Sequence, residues 1–102
     1  MRVEHWNADQ DGPLSEAALA NKLEQLGYSV CRYLYSPGTV FPAHKHSVDK
    51  LDAVFSGQFL ISMGSDSVIL RSGDFVYVPA GKRHSAEVVG HEAVLSFDAV
   101  RL

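Results

Sequence analysis

The fold is decided by two stretches of sequence, GTVFPAHKH at residues 38–46 and GDFVYVPAGKRH at residues 73–84. Each stretch begins at a glycine and ends at a histidine, with a proline between them. In the first stretch His44 and His46 are two residues apart. If this segment is extended, side-chain alternation places both imidazoles on one face, within a few ångströms of each other. Neutral imidazole is a good ligand for transition metals, so the pair is a candidate for two ligands of one ion.

The sequence around these stretches has the texture of an all-β protein from Tyr28 onward. Short segments rich in Val, Ile, Tyr and Phe are separated by Gly, Pro, Ser and Asp. Strands that recur every ~8–12 residues with turn signals between them are typical of a sandwich or barrel. No second helical pattern interrupts them, which argues against a doubly wound parallel sheet. The predicted strands include residues 30–35, 51–55, 58–63, 68–71, 75–78, 85–89 and 93–100.

The segment before the strands predicts one amphipathic helix at residues 14–26. Leucines and alanines recur there at helical spacing, and no Gly or Pro interrupts them. Gly27 stands where a left-handed helix stop is expected. We expect the apolar stripe to cover the outside of the β-rich body, as such stripes commonly do. Residues 1–13 lack periodicity, which predicts an N-terminal arm. Residues 28–102 are predicted to form the barrel.

Length, composition, net charge and cysteine content limit the classes of protein to which the chain can belong. The 102 residues suit one domain covering residues 1–102, with an ordinary 46% hydrophobic and 21% charged content. The net charge is −3 and no Lys/Arg cluster occurs, so we expect no nucleic-acid partner. No apolar run approaches the ~20 residues of a membrane span. Cys31 is the only cysteine, which excludes an intramolecular disulfide and fits the cytoplasm, where we expect the protein to reside.

The glycines and histidines of the two quoted stretches, together with Pro79 and Gly57, stand at spacings that resemble the two signature motifs of the cupin family. The resemblance implies a cupin-type double-stranded β-helix, a jelly-roll barrel, preceded here by one N-terminal helix. It also implies that His44, His46 and His84 together bind a divalent transition metal such as iron, manganese, nickel or zinc. A homodimer paired through its sheets is expected as well. The residues that match are Gly38, His44, His46 and Gly57 for the first motif, and Gly73, Pro79, Gly81 and His84 for the second.

Two positions depart from the cupin pattern. Lys50 occupies the place of a glutamate ligand, and Val88 stands where a polar residue is usual. The first departure matters more, because an ammonium repels a dication that a carboxylate would partly neutralise. Three interpretations stay open. Three histidines hold the metal alone, or Asp52 or Asp49 supplies a fourth ligand, or the site is degenerate and binds no metal.

Two classes of function follow from the resemblance. The first is a metal-dependent enzyme, dioxygenase- or isomerase-like, that transforms a small carboxylate or enolate-type molecule, with Lys50 and Asp52 as candidate catalytic residues. In it Lys50 would hold a substrate carboxylate, and either Asp52 or a metal-bound hydroxide would serve as the base. The second is a non-catalytic module that binds or senses a small molecule, either metal-free or with a metal that only stabilises the fold. Cupins catalyse many reactions, so the fold alone does not choose between these functions.

Overall fold

The computed structural model describes all residues from 1 to 102 and consists mainly of antiparallel β-strands. Two helices and one short strand precede the main body. The elements are β1 (Val3–Glu4), α1 (Ala8–Asp11), α2 (Glu16–Gln25), β2 (Tyr28–Tyr35), β3 (Val40–His44), β4 (Lys50–Ser56), β5 (Gln58–Met63), β6 (Asp66–Leu70), β7 (Phe75–Val78), β8 (His84–Val89) and β9 (Val94–Arg101).

The strands form two sheets that enclose the main hydrophobic core. One sheet has the order β1-β7-β4-β9-β2 and the other has the order β3-β8-β5-β6. Residues from both sheets meet in a cluster that includes Val54, Ile61 and Val76, all fully buried. The arrangement is consistent with the predicted jelly roll, but the barrel is not closed. No ladder joins the edge strands β2 and β3, so the molecule is better described as two facing sheets.

Strand β4 shows how alternation divides the fold into an interior and an outer layer. Leu51 and Ala53 are buried in a second apolar cluster with α2, whereas Val54 belongs to the core between the sheets. Because successive side chains point to opposite faces, Lys50 and Asp52 share the inner face with Val54. The chain therefore directs two charged side chains into the space between its sheets.

Helix α2 covers the outer face of the larger sheet, as its apolar stripe predicted. Leu19 and Leu23 are fully buried there, and each contributes about 2 kcal/mol through the apolar surface it removes from water. The Ser15 hydroxyl accepts a hydrogen bond from the Ala18 N–H at 3.0 Å and thus caps the helix. The helix is therefore shorter than the predicted range of 14–26. Neither helix of the chain has the length and apolarity that a bilayer crossing requires.

The N-terminal arm is more ordered than its sequence suggested. β1 pairs with β7, and Asn7 caps the four-residue helix α1 by accepting from the N–H groups of Asp9 and Gln10. The expectation of one N-terminal helix was therefore incomplete. A two-residue strand and a one-turn helix are too short to show a periodicity, and β1 depends on a partner more than 70 residues away.

Candidate metal centre

The three predicted histidines converge at one end of the smaller sheet. His44 is the last residue of β3 and His84 is the first residue of β8, and the two are direct cross-strand neighbours. His46 lies two residues beyond the end of β3, not on the strand as expected. An irregularity in the ladder between Phe41 and His44 shifts the register just before the site. One potential ligand atom from each histidine lies within 4.8 Å of the others.

The hydrogen bonds of the imidazoles fix which nitrogens are available. His44 Nδ1 lies 2.7 Å from the Pro42 carbonyl oxygen, and His84 Nδ1 lies 2.9 Å from the Lys82 carbonyl oxygen. A carbonyl only accepts, so both Nδ1 atoms carry the proton and both Nε2 atoms keep a lone pair. His46 Nε2 is buried and has no hydrogen-bond partner. Metal-binding histidines typically have this arrangement, with the second nitrogen donating to a backbone carbonyl.

The surroundings of the cluster favour neutral imidazoles. Burial lowers the pKa of His46, and the positive charge of Lys50 lowers it further. Burial also lowers the pKa of His84. Because only the neutral ring can donate a lone pair, both shifts favour the ligating form of His46 and His84 at neutral pH. The donor set, its tautomers and its orphaned buried nitrogen therefore all fit a divalent transition metal.

The histidines open into a cavity of about 230 Å³ between the two sheets. One part of its wall is aromatic. The ring of Tyr35 lies 4.9 Å from that of Phe41 and 5.6 Å from that of Phe59, measured between centroids. Another part is charged and comes from β4 and β9. The full lining is Tyr35, Phe41, His44, His46, Lys50, Asp52, Phe59, His84, Ala86 and Asp98.

The charged wall contains an ion pair that the sequence did not predict. The Lys50 ammonium lies 2.7 Å and 2.9 Å from the two carboxylate oxygens of Asp98. Lys50 is only 9% exposed, so its charge is largely removed from water and needs this partner. The lysine that replaces the usual glutamate therefore carries its own counter-charge.

Asp52 faces Asp98 across the β4–β9 ladder, and the two are paired residues in its register. Burial raises the pKa of Asp52 to about 6, and the negative charge of Asp98 contributes to this rise. Lys50 and His44 act in the opposite direction. Asp52 is thus a carboxyl group that gains and loses a proton near neutral pH, a property common among acid–base groups at functional sites.

The structure brings most of the predicted site residues together. Lys50 and Asp52 share the cavity with the three histidines, whereas the group of potential ligand atoms consists of the histidines alone. Asp49 does not line this cavity, and its carboxylate accepts a hydrogen bond from the Ala80 N–H at 2.7 Å. Asp98 is the residue that the sequence did not reveal. It is one carboxylate on a strand of apolar residues, and only the strand register shows that it reaches Lys50.

Comparison with known proteins agrees with this geometry. Residues 31–100 match the family model described as Cupin domain. An uncharacterized protein of Streptomyces coelicolor, SCO3923, is 31% identical over 70 residues, which cover 69% of this chain and 67% of that protein. The family-model match includes every residue of the two stretches from which the sequence analysis began, from Gly38 to His84.

Solved structures share the fold over about three quarters of the chain. The cupin domain of Schizosaccharomyces pombe Cnp3 is 14% identical with a TM-score of 0.66, covering 74% of this chain and 52% of that one. A putative mannose-6-phosphate isomerase from Ralstonia eutropha is 26% identical with a TM-score of 0.65, covering 74% and 75%.

Oxalate oxidase in complex with the substrate analogue glycolate is also similar. It is 26% identical with a TM-score of 0.66, and the match covers 74% of this chain and 42% of that one. The chain also spans only 64% of a structurally similar Streptococcus pyogenes protein of unknown function. The matched family model, the curated relative and the three-histidine cluster lead to one conclusion: the chain belongs to the cupin family.

Proposed function

We propose that this cupin holds a divalent transition metal ion on His44, His46 and His84, and that it binds or transforms a small carboxylate or enolate-type molecule at that ion. The observation that carries the proposal is the state of the three rings. Two of them have their Nδ1–H engaged by backbone carbonyls, and the third has a buried Nε2 without a partner. His44 and His84 thus present a lone pair on Nε2, and His46 adds a third ring nitrogen within reach of the same ion.

When bound, a metal there supplies a Lewis acid with coordination positions left open for oxygen ligands. The protein residues orient and enclose the bound molecule. Tyr35, Phe41 and Phe59 provide an apolar wall that limits the access of water. Lys50 provides a positive charge on the opposite wall, where it attracts an anionic group, and Asp98 holds the ammonium in place.

Asp52 is the group best suited to hold or move a proton. Its pKa near 6 means that both protonation states are populated close to neutral pH. Lys50 is less suited to this role, because its ammonium is held by both oxygens of Asp98. We therefore assign Asp52 the acid–base role and Lys50 the role of a binding residue.

The dimensions of the cavity support a small ligand. A volume of about 230 Å³ is below the ~300 Å³ lower limit for sites of drug-sized molecules. A small acid could bind the metal through one oxygen and approach Lys50 with another. The related fold of oxalate oxidase accommodates glycolate, a small hydroxy acid, which is consistent with this substrate class.

A non-catalytic binding or sensing role is the second candidate. The observation that favours it is the engagement of Lys50 by Asp98, which withdraws the one lysine of the cavity from proton transfer. A ligand recovered unchanged after tight binding would support this role. Substrate-dependent turnover that is lost in Asp52→Asn would support the enzyme.

We also propose that the protein forms a homodimer through the open edge of its larger sheet. β2 is eight residues long and pairs on one side only, with β9. Tyr33 and Leu34 on this strand are 44% and 65% exposed. A long edge strand with exposed apolar side chains promotes association unless it is covered, and a second copy would cover it.

The deciding experiment is metal analysis by mass spectrometry on the full chain purified without an affinity tag. We expect close to one equivalent of iron, manganese, nickel or zinc, either as isolated or after incubation with these ions. The double variant His44→Ala/His46→Ala should hold none. His91→Ala is the matched control, because His91 is exposed and outside the cavity. Full metal content in the double variant, or an empty wild-type protein after incubation, would refute the metal site.

A further inference from the structure

A second and larger cavity, of about 400 Å³, lies next to the three-histidine cavity. Lys50 lines both of them, so its side chain forms part of the boundary between the two. No histidine lines the second cavity. It is formed by the N-terminal segment at Arg2, the strand ends around Asp49 and Tyr77, and the loop that carries Lys82.

The charges around this cavity are predominantly positive. Arg2, Lys50 and Lys82 line it, and Asp49 is the one carboxylate among the lining residues. The Asp49 carboxylate already accepts a hydrogen bond from the Ala80 N–H at 2.7 Å. A chain with a net charge of −3 thus gathers three cations around one concave surface. Such an arrangement raises the local concentration of anions.

The three cations differ in what already compensates them. Lys50 is paired with Asp98. Arg2 lies 4.0 Å over the Tyr77 ring, and its guanidinium is 3.7 Å from the Glu4 carboxylate, which also accepts from the Tyr77 hydroxyl at 2.6 Å. The Lys82 ammonium has neither an ion-pair nor a hydrogen-bond partner within the chain. Lys82 is therefore the group most available to a ligand, and Arg2 is the second.

The rest of the lining is apolar and aromatic. Met63 and Val78 are buried on the inner side, and Tyr28 and Tyr77 present their rings. A fully hydrated inorganic anion would gain nothing from such walls, whereas an organic anion could place its apolar part against them. We propose that this cavity binds a small organic anion, a phosphate ester or a carboxylate, with its charged group at Lys82 and Arg2 and its apolar part against Met63 and Val78. The proposal does not require a metal in the neighbouring cavity.

The test uses the full chain, labelled with ¹⁵N and stripped of metal on a chelating resin. Phenyl phosphate and benzoate are the probes, inorganic phosphate tests the charge alone, and phenol tests the ring alone. Chemical shifts of the Gly64 and Gly81 amides report on this cavity, because both glycines lie next to the Lys82 side chain or its backbone. We expect saturable binding of at least one aromatic anion, about tenfold tighter than that of phosphate, because its ring is buried.

Two single variants that each remove one positive charge, Lys82→Gln and Arg83→Gln, locate the binding. Lys82→Gln should weaken binding of the aromatic anion about threefold, and the double variant with Arg2→Gln about tenfold, as expected for partly exposed ion pairs. Arg83→Gln should leave it unchanged, because Arg83 is exposed and does not line the cavity.

Three results would overturn the proposal. One is the absence of saturable binding of both aromatic anions to the wild-type protein. Another is equal weakening by Lys82→Gln and Arg83→Gln, which would indicate diffuse surface charge. The third is a set of shifts centred on Phe41 and Ala86 that His84→Ala abolishes, which would place the anion in the histidine cavity.

Discussion

Lys50 and Asp98 are 48 residues apart in the chain, yet the Lys50 ammonium is bound by both oxygens of the Asp98 carboxylate inside the cavity. In the cupin motif that this chain resembles, position 50 carries a carboxylate. Here that position carries a cation, and the carboxylate comes from another strand. The charges of Lys50 and Asp98 therefore offset each other, and a dication on the three histidines faces an ion pair and not an isolated ammonium.

The first prediction concerns the counter-charge of Lys50. Asp98→Asn removes the carboxylate that contacts the ammonium and leaves Asp52 as the remaining carboxyl group of the cavity. We expect divalent metal affinity to fall by about tenfold or more, which corresponds to ~1.4 kcal/mol of added repulsion. The metal-free protein should also lose ~3 kcal/mol of stability, because one partner of a buried pair is missing. Competition with a chelating dye measures the affinity, and urea denaturation measures the stability.

The double variant Lys50→Gln/Asp98→Asn is the control for this prediction. It removes both charges and keeps two groups that can hydrogen bond, so metal affinity should return to within about threefold of wild type. If Asp98→Asn alone binds metal as tightly as the wild-type protein, the ion pair does not protect the site from Lys50.

The second prediction concerns the effect of metal on stability. A ligand that binds only the folded protein raises its melting temperature in proportion to the logarithm of ligand concentration. Added Ni²⁺ or Zn²⁺ should therefore raise the Tm of the stripped wild-type protein and should have no effect on His44→Ala/His46→Ala. Both histidines are only half-buried, so the double variant should retain the far-ultraviolet circular dichroism of the wild type. An equal rise in Tm for both proteins would point to metal bound elsewhere.

The third prediction concerns the pH dependence that Asp52 adds to stability. Its pKa is about 6 in the folded protein and ~3.9 in an unfolded chain. Between these values the folded protein binds a proton that the unfolded chain releases, so this group lowers stability as pH rises through the interval. Asp52→Asn removes the effect. At pH 7 the metal-free variant should be more stable than the wild type by up to about 3 kcal/mol.

Near pH 4 the same two proteins should differ little, because the Asp52 carboxyl group of the wild type is then protonated in the folded protein and already about half protonated in the unfolded chain. The measurement is urea denaturation at several pH values from 4 to 7.5. A stability difference that does not change with pH would show that Asp52 does not titrate in this interval.

The fourth prediction compares two glycines of the first motif. Gly57 has φ +87° and an added Cβ would lie 2.5 Å from the Ala93 carbonyl oxygen, whereas Gly38 has φ +81° and open space around it. Gly38→Ala should cost ~1 kcal/mol for the left-handed backbone alone. Gly57→Ala should cost ~3 kcal/mol or more, since backbone atoms must also move. Thermal denaturation of both variants tests the difference, and equal losses would contradict the close contact at Gly57.

Much of the fold could be predicted because its signals are local. The strand periodicity, the turn glycines and the stripe of α2 each lie within a dozen residues, and the structure confirms them. The meeting of His44 with His84 depends on pairing across 40 residues, which the motif resemblance supplied and the residues alone did not.

What the sequence could not reveal depends on register. Lys50 and Asp98 meet because β4 and β9 are aligned so that Asp52 faces Asp98. A shift of one residue would turn Asp98 to the outer face. The choice of Tyr35, Phe41 and Phe59 as cavity residues follows from the registers of three other strand pairs, β2–β9, β3–β8 and β5–β8. The arm strand β1 escaped notice because two residues carry no pattern.

The hydrogen bonds from His44 and His84 to backbone carbonyls determine which nitrogen of each ring meets an arriving ion. Each ring is held with its proton on the nitrogen that faces the backbone, and its other nitrogen is bare. At pH 8, well above the ordinary pKa of imidazole, an ion meeting these rings has no proton to displace. The calorimetric enthalpy of metal uptake should then be the same in phosphate-free buffers of very different ionisation enthalpy, such as HEPES and Tris, once metal–buffer complexation is subtracted.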